Sequence, residues 1–164
     1  MSPRGKKAVT VVDKLEDSFM LKGGEFADAG LASRNLRSTL TRLGASQEMT
    51  TRAAICAFEA EMNVIIHSVA GSLRYVIKSD QVIITVTDMG PGIEDIELAM
   101  QEGYSTAPEW AKEMGWGSGL GLPNIKRNSS RLKIDSVMGE GTTLEIIIET
   151  GAQLDLDLVR GARH

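Results

Sequence analysis

Glycine is bunched along this chain, and the bunching decides where regular structure can lie. Several of its 17 glycines cluster at 90–92, 103, 115–121 and 139–141, and the intervals between them read as short regular elements without an internal repeat. Gln47–Ala70 is the strongest helix. There Ile55, Phe58, Met62, Ile65, Ile66 and Val69 recur at three- and four-residue spacing as one apolar stripe, with Gly71 as its end. Asp28–Leu43 reads as a second helix with Gly44 as its C-cap. Leu73–Lys78 and Val82–Asp88 predict a hairpin, and Leu132–Val137 with Thr142–Ile148 a second one around Gly139–Gly141. Val9–Val12 and Ser18–Leu21 are short strand candidates. Ile93–Glu102 is a short helix with acidic residues in its first turn, and Pro123–Ser130 a helix opened by proline.

Hairpins with helices between them predict a two-layer α/β (α+β) sandwich, a largely antiparallel sheet covered by helices on one face. Strict β-α-β alternation is absent, which disfavours a doubly wound parallel sheet. Residues 9–150 read as one domain, 1–8 as a flexible tail and 151–164 as a C-terminal tail. The alternation Leu154–Leu158 in that tail suits an edge strand, a partner-binding peptide or plain disorder.

Composition removes several classes of function. The chain has 164 residues, 42% hydrophobic and 24% charged, which is ordinary for a globular domain. Apolar runs such as Ile146–Ile148 are far too short to cross a bilayer, and no secretory signal stands near Met1, so no membrane partner and a cytoplasmic location are expected. The single Cys56 cannot form an internal disulfide, nor a zinc site with only two histidines, and reads as a packing residue. A net charge of −4 and a pI near 5.3 argue against a nucleic-acid partner.

Three constellations carry chemistry. Glu59, Asn63 and His67 stand at i, i+4 and i+8 on one side of the long helix, bordering its apolar stripe. Asn63 offers a neutral oxygen suited to magnesium when phosphates supply the negative charge, and Glu59 can accept a proton from an attacking hydroxyl. A polar flank contacting a loop is the plainer alternative. The second is Asp88-Met-Gly90-Pro91-Gly92. Asp88 shares a strand face with Val82, Ile84 and Val86 and is drawn inward with them, where the amino group of adenine would satisfy it. Gly90 and Gly92 would let the backbone approach the base, although a simple turn also accounts for them. The third is Gly115-Trp-Gly117-Ser118-Gly119-Leu120-Gly121 just before a helix, where exposed N–H groups and the helix dipole favour phosphate. It matches neither the dinucleotide fingerprint nor a Walker A loop, and a flexible surface loop remains its alternative. Residues 103–118 read as a lid, with Gly103, Gly115 and Gly117 as hinges and Ser105 and Thr106 as hydroxyl donors. Trp110 and Trp116 read as residues that hold the lid down, and Lys126 and Arg127 as a solvated pair.

Together the boxes resemble those of the GHKL (Bergerat-fold) ATPases, and within them the anti-sigma-factor serine/threonine kinases, closest to the stress-signalling switch kinases. Glu59-x-x-x-Asn63-x-x-x-His67 resembles the N box, and Asp88-x-Gly90-x-Gly92 with Gly117-x-Gly119-x-Gly121 the two glycine boxes. Gly139-Glu-Gly141-Thr142 resembles the closing hairpin whose threonine helps to hold adenine. The resemblance covers roughly residues 9–150, and it implies a mixed, largely antiparallel Bergerat sheet and the cofactors ATP and Mg2+. It also implies transfer of phosphate to a STAS-type anti-sigma antagonist. A sigma factor or a downstream phosphatase is a further expected partner, and dimerisation is common in the sigma-binding branch. The rival expectation is a non-catalytic nucleotide-gated anti-sigma factor or regulator-binding module.

Overall fold

The computed structural model describes residues 13–162, so the strand expected at Val9–Val12 and the tail expected at 1–8 lie outside the described residues. The elements in chain order are β1 (Leu15–Lys22), α1 (Leu31–Arg42), α2 (Gln47–His67), β2 (Ala70–Ile77) and β3 (Gln81–Asp88). They continue with α3 (Ile96–Ala99), α4 (Glu109–Glu113), α5 (Gly121–Asn128), β4 (Arg131–Val137) and β5 (Gly141–Glu149), and close with a 3₁₀ helix at Leu156–Ala162. The five strands run in the order β1-β2-β3-β5-β4, and every described pairing is antiparallel.

Period-two alternation builds one face of this sheet. Register places Leu73, Val86 and Leu144 in one row, Tyr75, Ile84 and Ile146 in the next, and Ile77, Val82 and Ile148 in a third; all are buried. Leu36 and Leu40 of α1, a row on α2 and Ile125 of α5 cover them. The opposite face carries Arg74, Thr85, Glu145 and Lys133, so it presents polar side chains instead.

The row of α2 that meets the sheet is Ala53, Ala57, Ala60 and Val64, not the bulky stripe legible in the sequence. Small side chains let the helix lie close on the strands. Phe58, Met62, Ile65 and Ile66 face a second cluster formed with Phe26, Ala107, Ala111 and Trp116. The helix is therefore apolar on two sides. It ends at His67, three residues before the expected end, because Ala70 and Gly71 are already paired in the sheet with Lys22 and Leu21. Gly71 is a point of close approach, since a Cβ there would come within 2.6 Å of the Thr87 carbonyl oxygen.

Other boundaries shift for local reasons. The expected helix at Ile93–Glu102 contracts to α3 because Asp95 is its N-cap, accepting from the Leu98 N–H at 3.0 Å. Helix α5 starts at Gly121, which leaves Pro123 in the first turn, where a missing N–H costs nothing. After Gly151 the chain turns back: the Leu154 N–H donates to the Ser79 carbonyl, and Leu156 is buried in the main core. Among the described residues no helix is long and apolar enough to cross a membrane. Cys56 is fully buried, and burial pushes its thiol up to about 12, as suits a packing residue.

Among the described residues, Glu61 is the one acidic side chain in the core, at 0% exposure. Helix α1 has Gly30 as N-cap and no side-chain cap of its own, and Glu61 supplies one from across the helix pair. Its Oε2 accepts from the Gly30 N–H at 2.6 Å and its Oε1 from the Ser33 N–H at 2.9 Å. Burial holds this carboxyl above its ordinary value of 4.5, while the N–H groups pull it back. The folded state therefore holds the proton more tightly than the unfolded chain. The stability this confers is full below pH 4.5 and is lost as pH rises through the folded-state value. Glu61→Gln is expected to abolish that slope in urea unfolding at pH 5 and pH 8. It also costs about 2 kcal/mol, because an amide NH2 then faces a backbone N–H.

Candidate functional site

A cavity of about 410 Å³ lies between α2, the end of β3 and residues 103–122. The residues singled out in the sequence meet there. Glu59, Asn63, His67, Asp88, Gly92, Ser105, Thr106, Gly115, Gly117, Ser118, Gly119, Leu120, Gly121 and Thr142 all line it. Gly90 stands behind the wall, and its N–H donates to Asp88 Oδ1 at 2.8 Å.

Asp88 is half-buried at the last position of β3, on the face that carries Val82, Ile84 and Val86. Its Oδ1 also accepts from the Thr142 N–H at 3.2 Å, and Oδ2 takes part in neither bond. The β4–β5 hairpin closes directly over it. Gly141 has φ +135, and a Cβ there would lie 2.0 Å from the Asp88 carbonyl oxygen, so only glycine admits this contact. Ser136, which sequence reasoning did not single out, is the hub of the same wall: its hydroxyl accepts from the Ile93 N–H at 2.7 Å and lies 2.9 Å from Thr142 Oγ1. Ser68 was also missed. Its hydroxyl is buried without a hydrogen-bond partner on the wall of the cavity, beside Gly90. Gly92 abuts the Val137 carbonyl, so it serves the packing of this loop on the hairpin. Burial lowers the pKa of His67, with Asp88 pulling the other way.

At the other end of the cavity the first turn of α5 faces α2. A Cβ on Gly121 would lie 3.3 Å from Glu59 Oε2 and 3.6 Å from Asn63 Oδ1, so both side chains stand directly before the helix N-terminus. Leu120, the N-cap, offers no side-chain cap, which leaves the N–H groups of the first turn without an intrahelical partner. Glu59 Oε1 accepts from Asn124 Nδ2 at 3.1 Å, a contact that no sequence signal announced.

The segment expected from the sequence to be a lid starts and ends at one point. The Gly103 N–H donates to the Gly119 carbonyl at 3.1 Å. Gly119 has φ +78, and a Cβ there would strike the Gly103 and Tyr104 backbone at 2.5 Å. Between these feet α4 packs down: Ala111 is fully buried, Trp116 stacks on Phe26 at 6.1 Å and Trp110 meets Phe26 edge-on at 5.6 Å. Trp116 also lies 6.3 Å from Phe58 of α2, so the two tryptophans pack this segment against Phe26 and, through Trp116, against α2.

The described lining holds no lysine or arginine, and no cluster of three or more His, Cys, Asp or Glu side chains able to hold a metal occurs among the described residues. The cavity thus offers an acidic acceptor at one end, and uncapped amides with an asparagine oxygen and a carboxylate at the other. Such a site suits an elongated anion with a hydrogen-bond donor at its far end, and its charge must be offset by dipoles or by a metal that the anion itself brings.

Comparison with known proteins points the same way. Residues 50–152 match the family described as histidine kinase-, DNA gyrase B-, and HSP90-like ATPase. The anti-sigma F factor of Pasteuria penetrans is 32% identical over 108 residues, 62% of this chain and 69% of that protein. The serine/threonine-protein kinase RsbT of Bacillus subtilis is 30% identical over 122 residues, 71% of this chain and 86% of that protein. Among solved structures, the mycobacterial sensor histidine kinase MprB superposes with a TM-score of 0.50 at 17% identity, covering 82% of this chain and 97% of the other, a likeness of fold alone.

Proposed function

This chain belongs to the histidine kinase-, DNA gyrase B- and HSP90-like ATPase family, and from that membership we propose an ATP-dependent serine/threonine protein kinase whose acceptor is a STAS-type regulatory domain in sigma-factor control. The observation that carries this reading is the convergence of Glu59 Oε2 and Asn63 Oδ1 on Gly121, at the uncapped N-terminus of α5. A binding module needs the amides and the asparagine. It has no use for a carboxylate at the same point, beside negatively charged phosphates.

The donor set fits the nucleotide. Asp88 Oδ2 would accept from the amino group of adenine while Oδ1 is held by two backbone N–H groups, and Thr142 and the unpartnered Ser68 hydroxyl line the same end. The amides of 117–121 and the hydroxyls of Ser105, Thr106 and Ser118 receive the phosphates. Asn63 would hold Mg2+ together with phosphate oxygens, and the ion would neutralise charge on them. Glu59 takes the proton of the acceptor hydroxyl as its oxygen bonds to the γ-phosphorus and the bond to the β,γ-bridging oxygen breaks, releasing ADP. Positioning supplies most of the acceleration. The phosphoryl group then adds nearly two negative charges to the acceptor, enough to change what it binds.

Because no basic side chain lines the described cavity, affinity for ATP depends on the metal. Chelation with EDTA is expected to weaken ATP binding at least about tenfold in calorimetry, since the phosphate charge is then met by amide dipoles alone. The decisive experiment incubates the protein with γ-labelled Mg-ATP and STAS-type domains encoded beside it. Label on a partner serine or threonine supports the kinase. A stable complex without label overturns it in favour of a nucleotide-gated binding module.

A further inference from the structure

We propose that Asn124 is a positioning residue for Glu59, and that Arg127, anchored by Glu102 next to Gly103, holds the Asn124 amide oxygen and so keeps its NH2 on the carboxylate. This inference rests on the kinase reading above and assigns the residues that hold its base in place.

The contacts form one chain. Glu102 pairs with Arg127 Nη1; Arg127 Nη2 donates to Asn124 Oδ1 at 2.6 Å; Asn124 Nδ2 donates to Glu59 Oε1 at 3.1 Å. An asparagine amide has an accepting end and a donating end. A guanidinium can only donate and a carboxylate only accept, so both partners turn the amide oxygen to Arg127 and the NH2 to Glu59. Backbone bonds fix where this happens: the Asn124 N–H donates to the Leu120 carbonyl at 2.8 Å, so the residue sits firmly in the first turns of α5.

The two carboxylate oxygens of Glu59 are thereby made unequal. Oε1 is occupied by the amide, while Oε2 is the oxygen 3.3 Å from the Cβ position of Gly121, on the side where the amides of α5 open into the cavity. Pinning one oxygen aims the other. The far end of the chain matters as well. Glu102 immediately precedes Gly103, whose N–H closes the lid onto Gly119. A shift of the lid foot is therefore felt by Arg127, then by the amide, then by the base. The Glu102–Arg127 pair is half-exposed on both sides and contributes little to stability, so its variants report on orientation and leave folding intact.

The test is single-turnover transfer from γ-labelled Mg-ATP to the STAS-type domain, with Mg-ATP affinity measured alongside by calorimetry. Asn124→Ala is expected to transfer about tenfold more slowly with affinity within about twofold of the parent. Asn124→Asp sets two carboxylates face to face and is expected to be slower still. Arg127→Lys keeps a donor on Oδ1 and is expected to retain the parental rate, whereas Arg127→Glu draws the NH2 away from Glu59 and slows transfer as Asn124→Ala does. Parental rates in Asn124→Ala, with Glu59→Ala inactive, overturn this inference and leave the kinase reading standing. A parallel loss of nucleotide affinity in Asn124→Ala makes the residue structural and also overturns it. Absence of label transfer by the parent protein overturns both.

Discussion

Glu59→Ala is expected to bind Mg-ATP within about twofold of the parent while phosphate transfer falls by about 10²–10⁴, the span of a lost general base. The separation of effects follows from the geometry. Glu59 stands before the first turn of α5 but, among the described residues, accepts only from Asn124 Nδ2, so no donor of the adenine end or of the 117–121 amides is bonded to it. Its negative charge beside the phosphates opposes binding if it acts at all, so removal does not weaken affinity. Calorimetry supplies the first quantity and label transfer to the partner domain the second. Transfer at the parental rate removes Glu59 from the chemistry.

Asp88→Asn acts at the opposite end, and its expected loss is in affinity. Oδ1 already accepts from Gly90 and Thr142, so the amide oxygen must stay there and the NH2 must occupy the place of Oδ2. It then meets the amino group of adenine donor to donor. The flipped amide fares no better, because the NH2 would oppose two backbone N–H groups. Either orientation leaves a partly buried group unmatched, at a cost of about 3 kcal/mol, which is roughly 100-fold in the dissociation constant. Titration of the variant with Mg-ATP should give no measurable heat at concentrations that saturate the parent. Unchanged affinity would refute the assignment of Asp88 to the base.

Much of this site was legible before any coordinates, for identifiable reasons. Hairpins announce themselves by period-two alternation, and the three buried rows across β2, β3 and β5 are that alternation seen in register. The spacing of Glu59, Asn63 and His67 survives folding because a helix preserves it. What stayed hidden depends on partners far apart in the chain. Asn124 reaches Glu59 across 65 positions and Ser136 reaches Ile93 across 43, and neither sits in a pattern of its own. The bulky stripe on α2 was visible but misleading, since it points to the lid cluster while alanines meet the sheet. Glu61 did leave a signal: Ala57, Phe58, Val64 and Ile65, its neighbours at three and four residues, are all apolar, so a carboxylate there has to enter the core.

The bond between Gly103 and Gly119 makes the segment between them a loop stapled at its base. Lengthening such a loop adds only slowly to the entropy of closing it, about 0.6 kcal/mol for each doubling. The stretch carrying α4 is also held from within, by Ala107, Ala111 and Trp116 against Phe26 and α2, so added length is tolerated only at the exposed turn 112–115. Length and composition can therefore drift at that turn while the buried contacts beneath it keep the cavity wall in place.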